Sequence, residues 1–97
     1  MHIKQRSYAG TLESSDLLVE VLPSETDTLD IELTSSVEKQ FDELILKVIT
    51  DTLNELGVTV ATVVVNDKGA LDCVIRARVQ AAVMRASGSE EINWSVV

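Results

Sequence analysis

The stretch LDIELTSSVEKQFDELILKVITDTLNELGVTVATVVV, residues 29–65, decides the fold. Leu29, Ile31 and Leu33 alternate with Asp30, Glu32 and Thr34, the period of two that marks a strand with one buried and one wet face. Ser35-Ser36-Val37-Glu38 then fits a capping box, with Ser35 as N-cap and Glu38 reaching back to it. Val37, Phe41, Leu44, Ile45, Val48, Ile49, Leu53 and Leu56 recur at spacings of three and four, so a helix with one apolar stripe follows. Gly57 ends it in the manner of a C′ glycine. Val58 to Val65 is almost continuous in β-branched residues and apolar on both faces near Val63-Val64-Val65, which predicts a central strand. Strand, helix and strand in this order predict a parallel pair joined by a right-handed crossover.

Toward the N-terminus, Leu17 to Leu22 is rich in branched residues and reads as a strand, and Tyr8 to Glu13 as a weaker one. Ser14-Ser15-Asp16 between them is turn chemistry, so the two form a hairpin with Ser14 and Ser15 at its tip. Pro23 to Asp27 is a polar loop holding the single proline. Toward the C-terminus, Asn66-Asp67-Lys68-Gly69 is a turn in which Asp67 is placed to cap a second helix, Ala70 to Ala86. Leu71, Val74, Ile75, Val79, Ala82, Val83 and Ala86 form its buried stripe, and Gly88 ends it. The element order is β-β-β-α-β-α, with the first three strands antiparallel. The expected fold is α+β, a small mixed four-stranded sheet with two helices packed on one face. One domain spans residues 1–97, with 1–7 and 89–97 irregular. Trp94 is either packed back on the core or held for a partner.

The chain's chemistry is sparse. Its 97 residues hold one His (His2), one Cys (Cys73), one Tyr, one Trp and one Phe. One Cys makes no internal disulfide, which suits a reducing compartment. One Cys and one His cannot supply a four-ligand zinc cage of those two types. His2 stands beside the initiator Met, a poor place for a catalytic relay. Cys73 falls beside the buried stripe of the second helix, where packing is its expected role. No catalytic and no metal-binding residue is assigned. No stretch resembles a signal peptide or a membrane span, so the cytoplasm is the expected compartment. Eight Lys+Arg against sixteen Asp+Glu give a net charge of −8. That sign disfavours nucleic acid and anionic lipid as partners. Residues 7–38 contain eight acids and no Lys or Arg, whereas Lys68, Arg76, Arg78 and Arg85 face only Asp72 across residues 68–86. The two regions are either ordinary solvated surfaces or docking faces of opposite sign.

Gly10-Thr11-Leu12-Glu13-Ser14-Ser15-Asp16 resembles the N-terminal motif of the citrate lyase acyl carrier proteins, the gamma subunits of that enzyme. Ser35-Ser36-Val37-Glu38-Lys39-Gln40-Phe41 is similar to the family's entry to its first helix. Asp67-Lys68-Gly69-Ala70-Leu71-Asp72-Cys73-Val74-Ile75-Arg76-Ala77-Arg78 is similar to its second-helix signature. The three blocks stand in the family's order and spacing.

The resemblance implies that Ser14 carries, through a phosphodiester, the prosthetic group 2′-(5″-phosphoribosyl)-3′-dephospho-coenzyme A. Ser15, next door, is the alternative attachment point. It further implies a non-catalytic subunit that presents acetyl and citryl thioesters to a transferase (alpha) and a lyase (beta) subunit in a large complex. The overall reaction is citrate cleavage to oxaloacetate and acetate, and a separate transferase attaches the group. A hairpin tip suits this role, since a small exposed serine is accessible while its flanking strands are fixed. Glu13 and Asp16, as acids beside a linked phosphate, would push the arm away from the surface. Two other readings remain: a carrier for a related complex such as malonate decarboxylase, and a non-covalent α+β adaptor whose serines only make a turn.

Overall fold

In a computed structural model, residues 2–37 and 39–88 are described. Glu38, the tail from residue 89 onward and Trp94 lie outside the described residues. The elements run β1 (Ser7–Gly10), β2 (Leu17–Leu22), β3 (Leu29–Ser35), a single 3-10 turn (Lys39–Phe41), α1 (Asp42–Glu55), β4 (Ala61–Asp67) and α2 (Asp72–Ala86). The sheet order is β1-β2-β4-β3. β1 and β2 are an antiparallel hairpin, β2 and β4 are antiparallel, and β3 and β4 are parallel. The expected α+β architecture and the parallel pair around α1 are both present. The last strand, however, is inserted between β2 and β3, which are not neighbours. The β-branched run of β4 explains the position: it is the strand apolar enough to lie between two others.

Register puts one apolar row on a single face. Val19 stands opposite Val65 and Val21 opposite Val63. Ile31 and Leu33 stand beside Val63 and Val65 on the other flank. Both helices cover that face. α2 lies over β1 and β2, and α1 lies against α2 and the β3 side. Ile45, Ile49 and Leu53 of α1 and Ile75, Val79, Ala82 and Val83 of α2 complete the core. α1 ends in a Schellman motif: Val58 N–H donates to Leu53 O at 2.9 Å, Gly57 N–H to Asn54 O at 3.0 Å, and Gly57 has φ +72°. Residues Lys4 and Gln5 are tied to the far end of α2, both backbone N–H groups donating to Ala86 O. Among the described residues no helix is long and apolar enough to cross a membrane.

Three local expectations change. The strand read over Tyr8 to Glu13 stops at Gly10, and residues 11–16 form the hairpin loop. Ser35 does not cap α1. It is the last residue of β3, and its hydroxyl serves Val37 N–H and Asp67 instead. The buried stripes are also narrower than the periodicity implied, because Phe41, Leu44 and Leu71 are exposed. All three lie at the starts of the helical segments.

Candidate functional site at the hairpin tip

Ser14 occupies a four-residue turn closed by Asp16 N–H donating to Glu13 O at 3.2 Å. Leu12, Glu13, Ser14 and Ser15 are all exposed. The two serines differ in backbone. Ser15 has φ +66°, the left-handed region, and its N–H donates to Lys68 O at 2.9 Å. Lys68 N–H returns the bond to Asp16 O at 2.9 Å. These two bonds extend the β2–β4 ladder past its last pair and clip the tip to the loop after β4. Ser14 is the corner just outside that clip.

The base of the loop is held by Asp16. Thr11 donates its hydroxyl to Oδ2 at 2.7 Å, and Leu17 N–H donates to Oδ1 at 2.7 Å. Arg78 of α2 closes a bidentate pair, Nε to Oδ1 at 3.1 Å and Nη2 to Oδ2 at 3.2 Å. The Thr11 hydroxyl first, and Arg78 second, bring the Asp16 carboxyl from its ordinary 3.8 down to about 2. The Asp16 side chain is only 14% exposed. It is therefore a fixed and compensated anion. The sequence reading gave Glu13 and Asp16 the same part as repelling acids, but the Asp16 charge is compensated within the molecule, whereas Glu13 has no ion-pair partner among the described residues.

Gly10 makes the approach of Arg78 feasible. It has φ +94°, and a Cβ there would stand 1.8 Å from Leu17 O and 3.3 Å from Arg78 Cδ. Only a residue without a side chain lets the two strands and the arginine stem come this close. On the other side of the tip, Asp67 is fully buried. Its carboxylate accepts from Ser35 Oγ at 2.9 Å, Gly69 N–H at 3.1 Å and Ala70 N–H at 3.0 Å. It organises the turn into α2 and ties it to the end of β3. It does not cap the helix, whose N-cap is Leu71.

The basic residues of α2 are engaged within the molecule. Arg76 pairs with Glu55 of α1 at 3.3 Å, Arg78 with Asp16, and Arg85 donates to Tyr8 O at 2.7 Å. On the open face of the sheet, Tyr8 and Arg6 both contact Glu20 and hold its carboxyl below its usual value. Cys73 is exposed, contrary to its expected packing role. It lies two residues before the buried Ile75, more than half a turn round the helix from the core face. Among the described residues no group of three or more potential metal ligands comes together.

The structure thus brings Ser14 and Ser15 to one exposed, doubly anchored tip. Sequence reasoning missed Gly10, Arg78 and Lys68 as its supports. A glycine in a strand was a usable signal. The Asp16–Arg78 pair, 62 residues apart in sequence, left none.

Comparison with known proteins follows the same lines. The family described as malonate decarboxylase delta subunit (MdcD) matches residues 4–86. A citrate lyase acyl carrier protein of Clostridium perfringens is 54% identical over 94 residues, 97% of this chain and 93% of that protein. One from Haemophilus influenzae strain Rd is 56% identical over 97 residues, 100% of this chain and 99% of that protein. In a solved Pseudomonas malonate decarboxylase hetero-tetramer in complex with malonate, one chain matches with a TM-score of 0.66. The match covers 89% of this chain and 92% of that one at 22% identity, which bears on the fold alone. With relatives this similar over nearly the whole length, the chain belongs to the citrate lyase acyl carrier proteins, non-catalytic carrier subunits of that enzyme.

Proposed function

We propose that Ser14 Oγ is the attachment point of 2′-(5″-phosphoribosyl)-3′-dephospho-coenzyme A, and that the chain presents acyl groups to a transferase (alpha) and a lyase (beta) subunit in citrate cleavage. The observation that carries this reading is an exposed serine on a tip whose base is fixed to both α2 and the loop after β4. An attaching enzyme needs a serine hydroxyl it can surround. A carrier needs that hydroxyl at a constant position relative to its own docking surface. The tip meets both demands, and its side chains leave open space around Ser14 for a bulky substituent.

When bound, the group supplies the thiol that bears acetyl or citryl as a thioester. The chain does the holding. Thr11, Asp16 and Arg78 keep the loop from fraying, and the Ser15–Lys68 clip keeps the corner pointing outward. A fixed anchor confines a tethered acyl group to a small volume, which raises its effective concentration at neighbouring active sites. Glu13, beside Ser14 and without an ion-pair partner among the described residues, disfavours collapse of a linked phosphate onto the tip.

Intact-mass measurement of the chain purified from its native host tests the proposal. The expected result is a covalent adduct that Ser14→Ala abolishes and Ser15→Ala leaves in place. An unmodified chain in a functioning complex would overturn it. The family description favours one second reading, a carrier for malonate decarboxylase. The subunits that co-purify with the native chain decide between the two.

A further inference from the structure

Six large apolar side chains are exposed among the described residues: Tyr8, Leu12, Phe41, Leu44, Val60 and Leu71. Four of them lie at one end of the sheet. That end is where β1, β3 and β4 finish, β2 begins and both helices start, and it is the end that carries Ser14. Leu44 and Leu71 are the most exposed of all six, at 61% and 70%. Phe41 and Leu44 form the lip of a cleft of about 220 Å³ floored by Val37, Ile45, Ala70 and Ile75. That volume is below the roughly 300 Å³ at which small-molecule pockets begin. It is the right size for an apolar side chain of another protein.

The charges around this cleft have a sign. Asp42, Glu43 and Asp72 at the helix starts, and Glu13 on the tip, have no ion-pair partner among the described residues. Only Lys39 and Lys68 offset them locally. By contrast, the three arginines of α2 are already engaged with Glu55, Asp16 and the Tyr8 carbonyl. The basic helix is therefore not a free surface, and the serine end is an apolar patch in an acidic frame.

We propose that this end is the docking face for the enzyme subunits that exchange acyl groups with the carrier. Phe41, Leu44 and Leu71 form its centre. The face it fits on a partner is apolar in the middle and basic at the edge. A second copy of this chain fits poorly, because a two-fold contact would set one acidic frame against another on molecules of charge −8. The proposal rests on the Ser14 reading in one respect: docking at this end places the attachment residue inside the contact.

Calorimetric titration of the full-length chain onto the isolated transferase and lyase subunits provides the test. The double variant Leu44→Ser/Leu71→Ser is expected to bind at least about 10-fold more weakly with no large fall in melting temperature, because both residues are exposed and serine suits the N-cap position of Leu71. Val60→Ser, at the opposite end, is expected to bind as the unaltered chain does. Asp42→Asn/Asp72→Asn is expected to flatten the salt dependence of binding. Unchanged affinity in the leucine variant overturns the proposal, as does an equal loss in Val60→Ser. Concentration-dependent self-association that the leucine variant abolishes also overturns it, in favour of a dimer contact. A parallel titration of Ser14→Ala separates the two readings. Retained, leucine-dependent binding supports the surface whatever the mass of the adduct shows, whereas an adduct persisting on Ser14→Ala counts against the attachment site alone.

Discussion

Two loops of this chain are built from the same residues and do different work. The tip, residues 11–16, and the loop between β2 and β3, residues 23–28, are both rich in Ser, Thr and acids. Each turns its corner through one non-glycine residue with positive φ, Ser15 at +66° and Asp27 at +53°. Their attachments differ. In the second loop the side-chain hydrogen bonds are local: Ser24 Oγ accepts from Thr26 N–H and Thr28 N–H, Thr26 and Thr28 share a hydroxyl bond of 2.7 Å, and Thr28 donates to Asp30. One backbone bond ties its end to the sheet, Ala61 N–H donating to Thr28 O at 3.1 Å. In the tip, Asp16 is held by Arg78 from another element, and Ser15 and Asp16 are bonded to Lys68. The side chains of residues 23–28 hold only their own loop, which meets the sheet at its last residue. The tip is held at its base by a side chain of α2 and by two backbone bonds to the loop after β4, so its position is fixed as well as its shape.

Gly10→Ala should break this contrast most severely. The new Cβ would enter the Leu17 carbonyl, and the residue would be held at a φ that alanine rarely adopts. A loss of about 3 kcal/mol or more in denaturant unfolding is expected. The hairpin and the Arg78 stem would have to part, so loading at the tip should fall with it. Nothing comparable is available in residues 23–28, which contain no glycine.

Next in size is the Asp16 clamp. Arg78→Met keeps the stem and removes both hydrogen bonds from Asp16, and a loss of about 1 kcal/mol is expected for a pair with one partner partly exposed. The same clamp gives the fold a pH dependence. The Asp16 carboxyl is held at about 2 in the folded chain against an ordinary 3.8. A depressed carboxyl stabilises the fold above its unfolded value and loses that contribution as pH falls through the folded one. The Asp16-dependent part of stability should therefore be full above about pH 4 and disappear toward pH 2. Acid titration of the unfolding free energy checks it. The Thr11 hydroxyl lowers the carboxyl by a hydrogen bond and Arg78 by hydrogen bonds and charge, so Thr11→Val and Arg78→Met should each narrow that window.

These supports also mark how far the sequence could be read. The strand–helix–strand unit at residues 29–65 was legible because each element carries its own period, and the exposed turn at Ser14 and Ser15 because its residues are turn formers. The insertion of β4 between β2 and β3 was not, since periodicity tells which face is buried and not which strand is the neighbour. Ser35 and Asp67 were read as helix caps from local spacing. They hydrogen-bond to each other across parallel strands, 32 residues apart. Leu71 was assigned to the buried stripe and Cys73 to packing beside it, but both are exposed, because the face α2 turns to the sheet is set by its packing and not by its own sequence. In each case the missing fact is a long-range placement, the same kind that separates the tip from its look-alike.

The smallest effects test the comparison most finely. Ser24→Ala removes the acceptor of two local N–H bonds in an exposed loop, and a change within about 0.5 kcal/mol is expected. Asp27→Gly and Ser15→Gly relieve the two left-handed corners. Aspartate tolerates that region better than serine, so the gain should be near zero at Asp27 and at most about 1 kcal/mol at Ser15. Ser15→Gly has a further use. It deletes one of the two adjacent hydroxyls while leaving the N–H that bonds Lys68 O and the φ that the turn requires. With the scaffold unchanged, any change in modification reports on the hydroxyl alone. If Ser14 is the attachment residue, Ser15→Gly should load at the normal rate and melt no lower than the parent. A stable Ser15→Gly chain that never acquires the adduct would move the site by one residue, onto the strained corner of the turn.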